Sequence, residues 1–197
     1  MSILRVKHFF ARNNWRAVLI LSLCFALLAG SVLSASAYDL TKVRNKSFEK
    51  DRNHDGIPNA WSPLSLSAKS KRVCNKAKRG NCSFKMVADG SANYLRQRTR
   101  NSSGPAGIIA TVSGWMKGKA LVGGAGLSGI YMVFNQTDGG TQTCGRARTG
   151  GTFGWTKVKN SGCVAVESFT SMTIYMFTSE NSGKVWFDKV NLTAVAP

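Results

Sequence analysis

The sequence predicts an all-β fold, an antiparallel sandwich of two sheets, on three observations. Apolar residues come in short runs, several alternating with polar ones, as in Thr173-Ile174-Tyr175-Met176-Phe177 and Val185-Trp186-Phe187-Asp188. Gly, Asn and Ser separate those runs, and 20 glycines suit the frequent turns of a sandwich. Beyond the N-terminal segment no stretch carries the periodicity of an amphipathic helix.

Residues 1–37 read as a secretory leader. Arg5, Lys7, Arg12 and Arg16 precede the apolar run Ala17–Leu33, and Ala35-Ser36-Ala37 supplies a cleavage site with small residues. The rival reading is an uncleaved membrane anchor, for which the run is borderline in length; the small residues at the cleavage site favour removal before Tyr38, leaving no membrane span. Residues 38–197 are then one secreted domain, long enough for its own core.

The next stretch, Asn45 to Trp61, gathers Glu49, Asp51 and Asp55, in a chain that has only 9 acidic residues against 27 basic ones. Asp51-Arg52-Asn53-His54-Asp55-Gly56 reads D-x-N-x-D-G, the first half of a calcium loop. Alternate side chains offer hard oxygen ligands, and the glycine permits the turn that brings them together. The position where a helix-loop-helix site places its bidentate Glu is Ser62. Further oxygens must come from elsewhere, with Glu49 close by and Asp188 near the far end of the chain. The competing reading is an Asx-rich turn that binds nothing.

Strands are expected at 61–66, 82–87, 94–98, 108–116, 129–134, 155–158, 172–177 and 184–192, with loops at 101–107 and 118–126. Cys74, Cys82, Cys144 and Cys163 follow the leader, an even number that in a secreted chain reads as two disulfides. The simplest pairing is Cys74–Cys82 with Cys144–Cys163. Zinc is disfavoured, because no C-x-x-C spacing occurs and His54 is the only histidine after the leader.

The formal charge of +18 implies attraction to polyanions such as acidic polysaccharide, cell wall, lipid head groups or nucleic acid. Lys69, Lys71, Arg72, Lys76, Lys78 and Arg79 crowd one segment. Arg96, Arg98 and Arg100 alternate, so a strand would set them on one face, and Arg146 and Arg148 repeat the pattern. A dedicated nucleic-acid role is disfavoured by secretion and by the lack of a groove-reading helix.

Taken in order, N-x-S-F-E, D-G-I-P-x-x-W, Y-L-R-Q, S-G-W-M-K-G, G-W-T-K-V and V-W-F-D-K-V-N-L, spread from Asn45 to Leu192, resemble the CenC-type carbohydrate-binding modules. That resemblance implies a β-jelly roll, a structural calcium near the joined termini with Glu49 and Asp188 as ligands, and a sugar groove on one sheet face toward which Gln97 would point. The D-x-N-x-D-G loop resembles an elaboration seen in cell-surface relatives.

Sugar recognition needs flat apolar faces and planar polar side chains, which makes Tyr94, Arg96, Gln97, Tyr131, Asn135, Gln136 and Trp155 the candidates. Trp61, Trp115 and Trp186 are expected to pack the sandwich instead. No feature asks for catalysis. Several acids belong to the loop, Asp138 and Glu180 sit in turn-like contexts, and no G-x-S-x-G elbow occurs. The expectation is a non-catalytic polysaccharide-binding module, the alternative a structural or adhesive surface protein that attracts polyanions.

Overall fold

Eleven strands form among the described residues, and each sheet draws them from distant parts of the chain. The computed structural model describes residues 43–99, 102–123 and 127–196, so the expected leader, Arg100 and parts of the expected loops at 101–107 and 118–126 lie outside the described residues. The strands are β1 (Ser62–Ser65), β2 (Lys71–Val73), β3 (Ser83–Val87), β4 (Asn93–Arg98), β5 (Ile109–Val122), β6 (Leu127–Gln136), β7 (Thr141–Thr149), β8 (Gly151–Lys159), β9 (Cys163–Val164), β10 (Phe169–Thr178) and β11 (Ser182–Val195). Among the described residues there is no helix.

One sheet runs β1-β4-β10-β6-β7, the other β2-β3-β11-β5-β8, with β9 paired to β5. Every pairing is antiparallel. The expected strands all form, and three more join them. The edge strand β7 carries Thr141, Thr143, Gly145 and Arg146 with little apolar content, so the alternation rule passes over it. β5 also runs through Gly118 to Val122, where a loop was expected.

The inward residues make one core. Leu95, Met116, Ile130, Met132, Phe134, Ile174, Met176, Val185 and Phe187 are buried within it. Phe48 and Trp61, from the first loop and its exit, join this core with ring centroids 5.4 Å apart. Fully burying such a side chain contributes about 1.5–3 kcal/mol. Trp186 and Trp115 depart from expectation. They sit on the outer face of the six-stranded sheet, with the Lys76 Nζ 4.9 Å above the Trp186 ring and the Lys78 Nζ 4.3 Å above Trp115.

Both expected disulfides, Cys74–Cys82 and Cys144–Cys163, are present. The first closes the loop that carries Lys76 and Lys78 across that outer face. Gly80, at φ 78°, gives this loop its turn, and a side chain there would collide with Glu49.

Glu180 sits between β10 and β11, fully buried, and neither carboxylate oxygen has a partner. Burial pushes its carboxyl up from the ordinary range. The folded chain therefore holds this proton more tightly than the unfolded one. Stability is greatest with Glu180 protonated, falls as pH rises from the unfolded carboxyl's range through the folded pKa, and stays lowered above it. Glu180→Gln is expected to raise the melting temperature at about pH 8, with the gain shrinking towards about pH 4. Melting curves across that range check it, and a difference independent of pH contradicts it.

Candidate functional site

The outer face of the five-stranded sheet holds the aromatic cluster. In β4, Tyr94, Arg96 and Arg98 alternate with buried Asn93, Leu95 and Gln97. In β10, Tyr175 and Phe177 alternate with buried Ile174 and Met176, and in β6 Tyr131 and Val133 alternate with Ile130, Met132 and Phe134. Register then carries the pattern sideways. Tyr175 lies opposite Arg96 on one side and Tyr131 on the other, while Phe177 faces Tyr94.

Tyr131 and Tyr175 stack with centroids 4.7 Å apart and planes 8° from parallel. Tyr94 meets Tyr175 edge-on at 6.4 Å and lies at 25° to Phe177 at 6.2 Å. On β7, Gly145 stands opposite Tyr131, where a Cβ would come within 2.2 Å of the Tyr131 Cβ. Burial, then Tyr94 and Tyr175, pushes the Tyr131 phenol up to about 12, so it stays a protonated donor at neutral pH.

Beside the rings lies a pocket of ≈ 390 Å³ lined by Ser62, Arg96, Arg98, Asn135, Thr173 and Tyr175. The Asn135 amide donates to the Ser171 hydroxyl at 3.0 Å and the Thr173 hydroxyl at 3.2 Å, which fixes its plane. Arg96 and Arg98 are exposed at one side. An aromatic cluster next to two guanidinium forks and an oriented amide can pack against a sugar ring and engage an anionic substituent.

Of the candidates named from sequence, Tyr94, Arg96, Tyr131 and Asn135 come together here. Gln97 does not point into this groove. It is 2 % exposed on the inner side of β4, because the alternation that turns Arg96 and Arg98 outward turns Gln97 inward. Its Oε1 accepts from the Arg44 N–H at 2.7 Å and its Nε2 donates to the Arg44 carbonyl at 2.9 Å, holding the segment before β1 against β4. Gln136 closes the β6–β7 turn, its N–H donating to the Gly140 carbonyl. Trp155 lies half-buried on β8, in the other sheet. Tyr175, Phe177 and Thr173 were missed, although the alternation Thr173-Ile174-Tyr175-Met176-Phe177 marks them.

The residues expected to hold a cation divide into two groups. Asn45 shapes the first, donating from Nδ2 to the Lys50 and Asn59 carbonyls while its Oδ1 accepts from the Lys50 N–H. Within the loop, Asp51 Oδ2 accepts from the Gly56 N–H at 3.1 Å, and Asp55 takes the Ile57 N–H and the Asn53 amide. Asp51 Oδ1 is buried with no partner. An orphaned carboxylate oxygen facing a D-x-N-x-D-G turn fits a hard cation.

Glu49 and Asp188 are engaged otherwise. Asp188, fully buried, accepts the Lys78 and Arg79 N–H groups at Oδ2 (2.8 and 2.9 Å) and the Lys189 N–H at Oδ1 (2.7 Å). Glu49 Oε1 accepts from the Asn81 and Cys82 N–H groups. Burial raises the Asp188 pKa, the three donors oppose the rise, and neighbouring Glu49 adds to it. These two carboxylates fasten the Cys74–Cys82 loop to the sheet. Among the described residues no three His, Cys, Asp or Glu side chains gather around one point.

No family model matches the chain, and no curated protein matches it. Solved structures do. The xylan-binding domain CBM22-1 of Paenibacillus barcinonensis Xyn10C aligns at 17% identity and TM-score 0.53 over 77% of this chain and 93% of that one. The module TmCBM61, solved with β-1,4-galactotriose, aligns at 18% and 0.51 over 77% and 97%. The arabinose-bound MgGH51 α-L-arabinofuranosidase aligns at 15% and 0.59, with 82% of this chain covering 27% of that one. The fold is therefore the two-sheet antiparallel jelly roll of carbohydrate-binding modules.

Proposed function

We propose that this domain is a secreted, non-catalytic carbohydrate-binding module of the CenC type, taking an acidic or cell-wall polysaccharide on the outer face of its five-stranded sheet. The observation that carries the reading is the Tyr131–Tyr175 stack beside the Arg96–Arg98 pocket. Stacked rings cover the apolar faces of sugars, and Arg forks grip carboxylate or sulfate in two-point contact. The pocket's lining offers no carboxyl pair for hydrolysis. The two aligned modules, one described as xylan-binding and one solved with galactotriose, support the reading by fold.

The test is calorimetric binding of the domain to xylan and polygalacturonate at low and high salt. Saturable, salt-resistant binding to one of them is expected. Binding that vanishes with salt for every polymer favours the adhesive alternative, because exposed charges are screened beyond about 8–10 Å at such ionic strengths.

A structural calcium belongs to the same proposal, held by Asp51, Asn53 and Asp55. Half a turn of the Asn53 amide exchanges its donor for an acceptor, and the ion would satisfy Asp51 Oδ1 while bracing the turn that leads to Trp61. Calcium at about a hundred times its dissociation constant is expected to add about 2.7 kcal/mol to the wild type. Asp51→Ala should abolish that increment. Melting with calcium and with chelator measures it, and an equal response in both proteins removes Asp51 from the site.

A further inference from the structure

The strand lysines are confined to one sheet. In the five-stranded sheet the strand cations are all arginines, among them Arg96, Arg98 and Arg146, and no strand there contains lysine. Every strand lysine belongs to the six-stranded sheet, and register aligns them. Lys71 lies opposite Lys85, Lys85 opposite Trp186, and Trp186 opposite Lys117, a row across four strands. Lys184 pairs with Lys119 two residues along, and Trp115 with Lys157 two residues the other way. Lys76 and Lys78 reach the same face from the disulfide loop.

Like charges placed directly opposite in a sheet are destabilising. Desolvation, then repulsion from Lys71 and Lys184, lowers the Lys85 pKa. The one strand carboxylate on this face, Asp188, is buried and occupied by backbone donors, so it does not neutralise the field.

At the edge of the row lies a second pocket, of ≈ 400 Å³. Phe153 and Trp186 contribute apolar surface to it, and Lys76, Lys117 and Lys119 line it as well. Gly118 pairs with the core residue Val185, and its missing Cβ leaves space for the Phe153 ring, which packs against the core beneath the pocket floor. An apolar recess among lysines matches a sugar ring with anionic substituents better than a flat lipid surface, which needs no recess.

We infer that the outer face of the six-stranded sheet is a second, lysine-built site for a linear acidic polysaccharide, which seats one ring in the Phe153 pocket and runs along the Lys117–Lys85–Lys71 row. The site is independent of the aromatic groove on the opposite sheet. With both sites in use, one molecule bridges two chains or two stretches of one chain.

The test compares four variants for affinity to immobilised polygalacturonate and dextran sulfate, one carboxylated and one sulfated. Lys117→Glu/Lys119→Glu is expected to weaken binding about tenfold or more and to flatten its salt dependence. Arg146→Glu, on β7 of the other sheet, is the charge control for each single Lys→Glu change and should have a much smaller effect. Lys71→Glu/Lys184→Glu, at exposed positions, repeats the first test with little risk to folding. Placed on a Tyr175→Ala background, which weakens the groove, Lys117→Glu/Lys119→Glu should cost the same factor as in the wild type, so the two sites succeed or fail separately. Equal losses from the face variants and the charge-matched control would overturn the inference. So would binding of the wild type to anionic vesicles or single-stranded DNA but to neither polymer.

Discussion

Tyr175→Ala is expected to cost the domain about 2 kcal/mol of its affinity for polysaccharide, roughly thirtyfold, while leaving its melting temperature nearly unchanged. Tyr175 is the hinge of the aromatic cluster. It stacks on Tyr131, meets Tyr94 edge-on, borders the arginine pocket, and points away from the core. Its removal takes one ring from the ligand surface and leaves Tyr131 without its parallel neighbour. Isothermal titration with the best polymer of the panel reads the affinity, and a thermal melt confirms the fold. Undiminished affinity would move the binding surface elsewhere. Tyr175→Phe should retain most of the binding, because the flat face rather than the hydroxyl supplies the contact.

Asp188→Ala is expected to destabilise the domain by about 3 kcal/mol or more, and by the same amount with calcium or with chelator. Three backbone N–H groups converge on this carboxylate, and an unsatisfied donor costs about 1–3 kcal/mol. Burial raises the carboxyl's pKa, so the stabilisation lies in acceptor geometry rather than in bare charge. For a domain of this size the loss corresponds to a fall of about 6–12 °C in melting temperature. Thermal melts of wild type and variant in both buffers measure it. A loss confined to the calcium-containing buffer would return Asp188 to the set of metal ligands.

What the sequence disclosed followed the reach of each rule. Alternation is local, so it placed the strands and set Arg96 and Arg98 on one face. The same rule, applied strictly, would have turned Gln97 inward and brought Tyr175 and Phe177 outward. The family resemblance carried Gln97 to the groove against that alternation. Cross-strand register is not written in any single segment. The Tyr131–Tyr175 stack and the Lys71–Lys85–Trp186–Lys117 row appear only once β6, β10, β3, β11 and β5 are laid side by side. The strand β7 escaped notice because an edge strand buries little. The role of Asp188 depends on a loop more than a hundred positions away in sequence, closed by the Cys74–Cys82 bridge. Local spacing holds no trace of that encounter.

The groove is written on alternate positions, 94, 96 and 98 in β4 and 173, 175 and 177 in β10, with core residues between them. A point substitution at any of these positions edits the ligand surface without entering the core. Deleting or inserting one residue within either strand does the opposite, because it transposes inside and outside for everything beyond it. Arg96 and Arg98 would then be driven between the sheets while Leu95 met water. The face can therefore change its preference through exchanges of side chain, whereas changes of length are confined to the turns, such as the Asp138-Gly139 tip between β6 and β7.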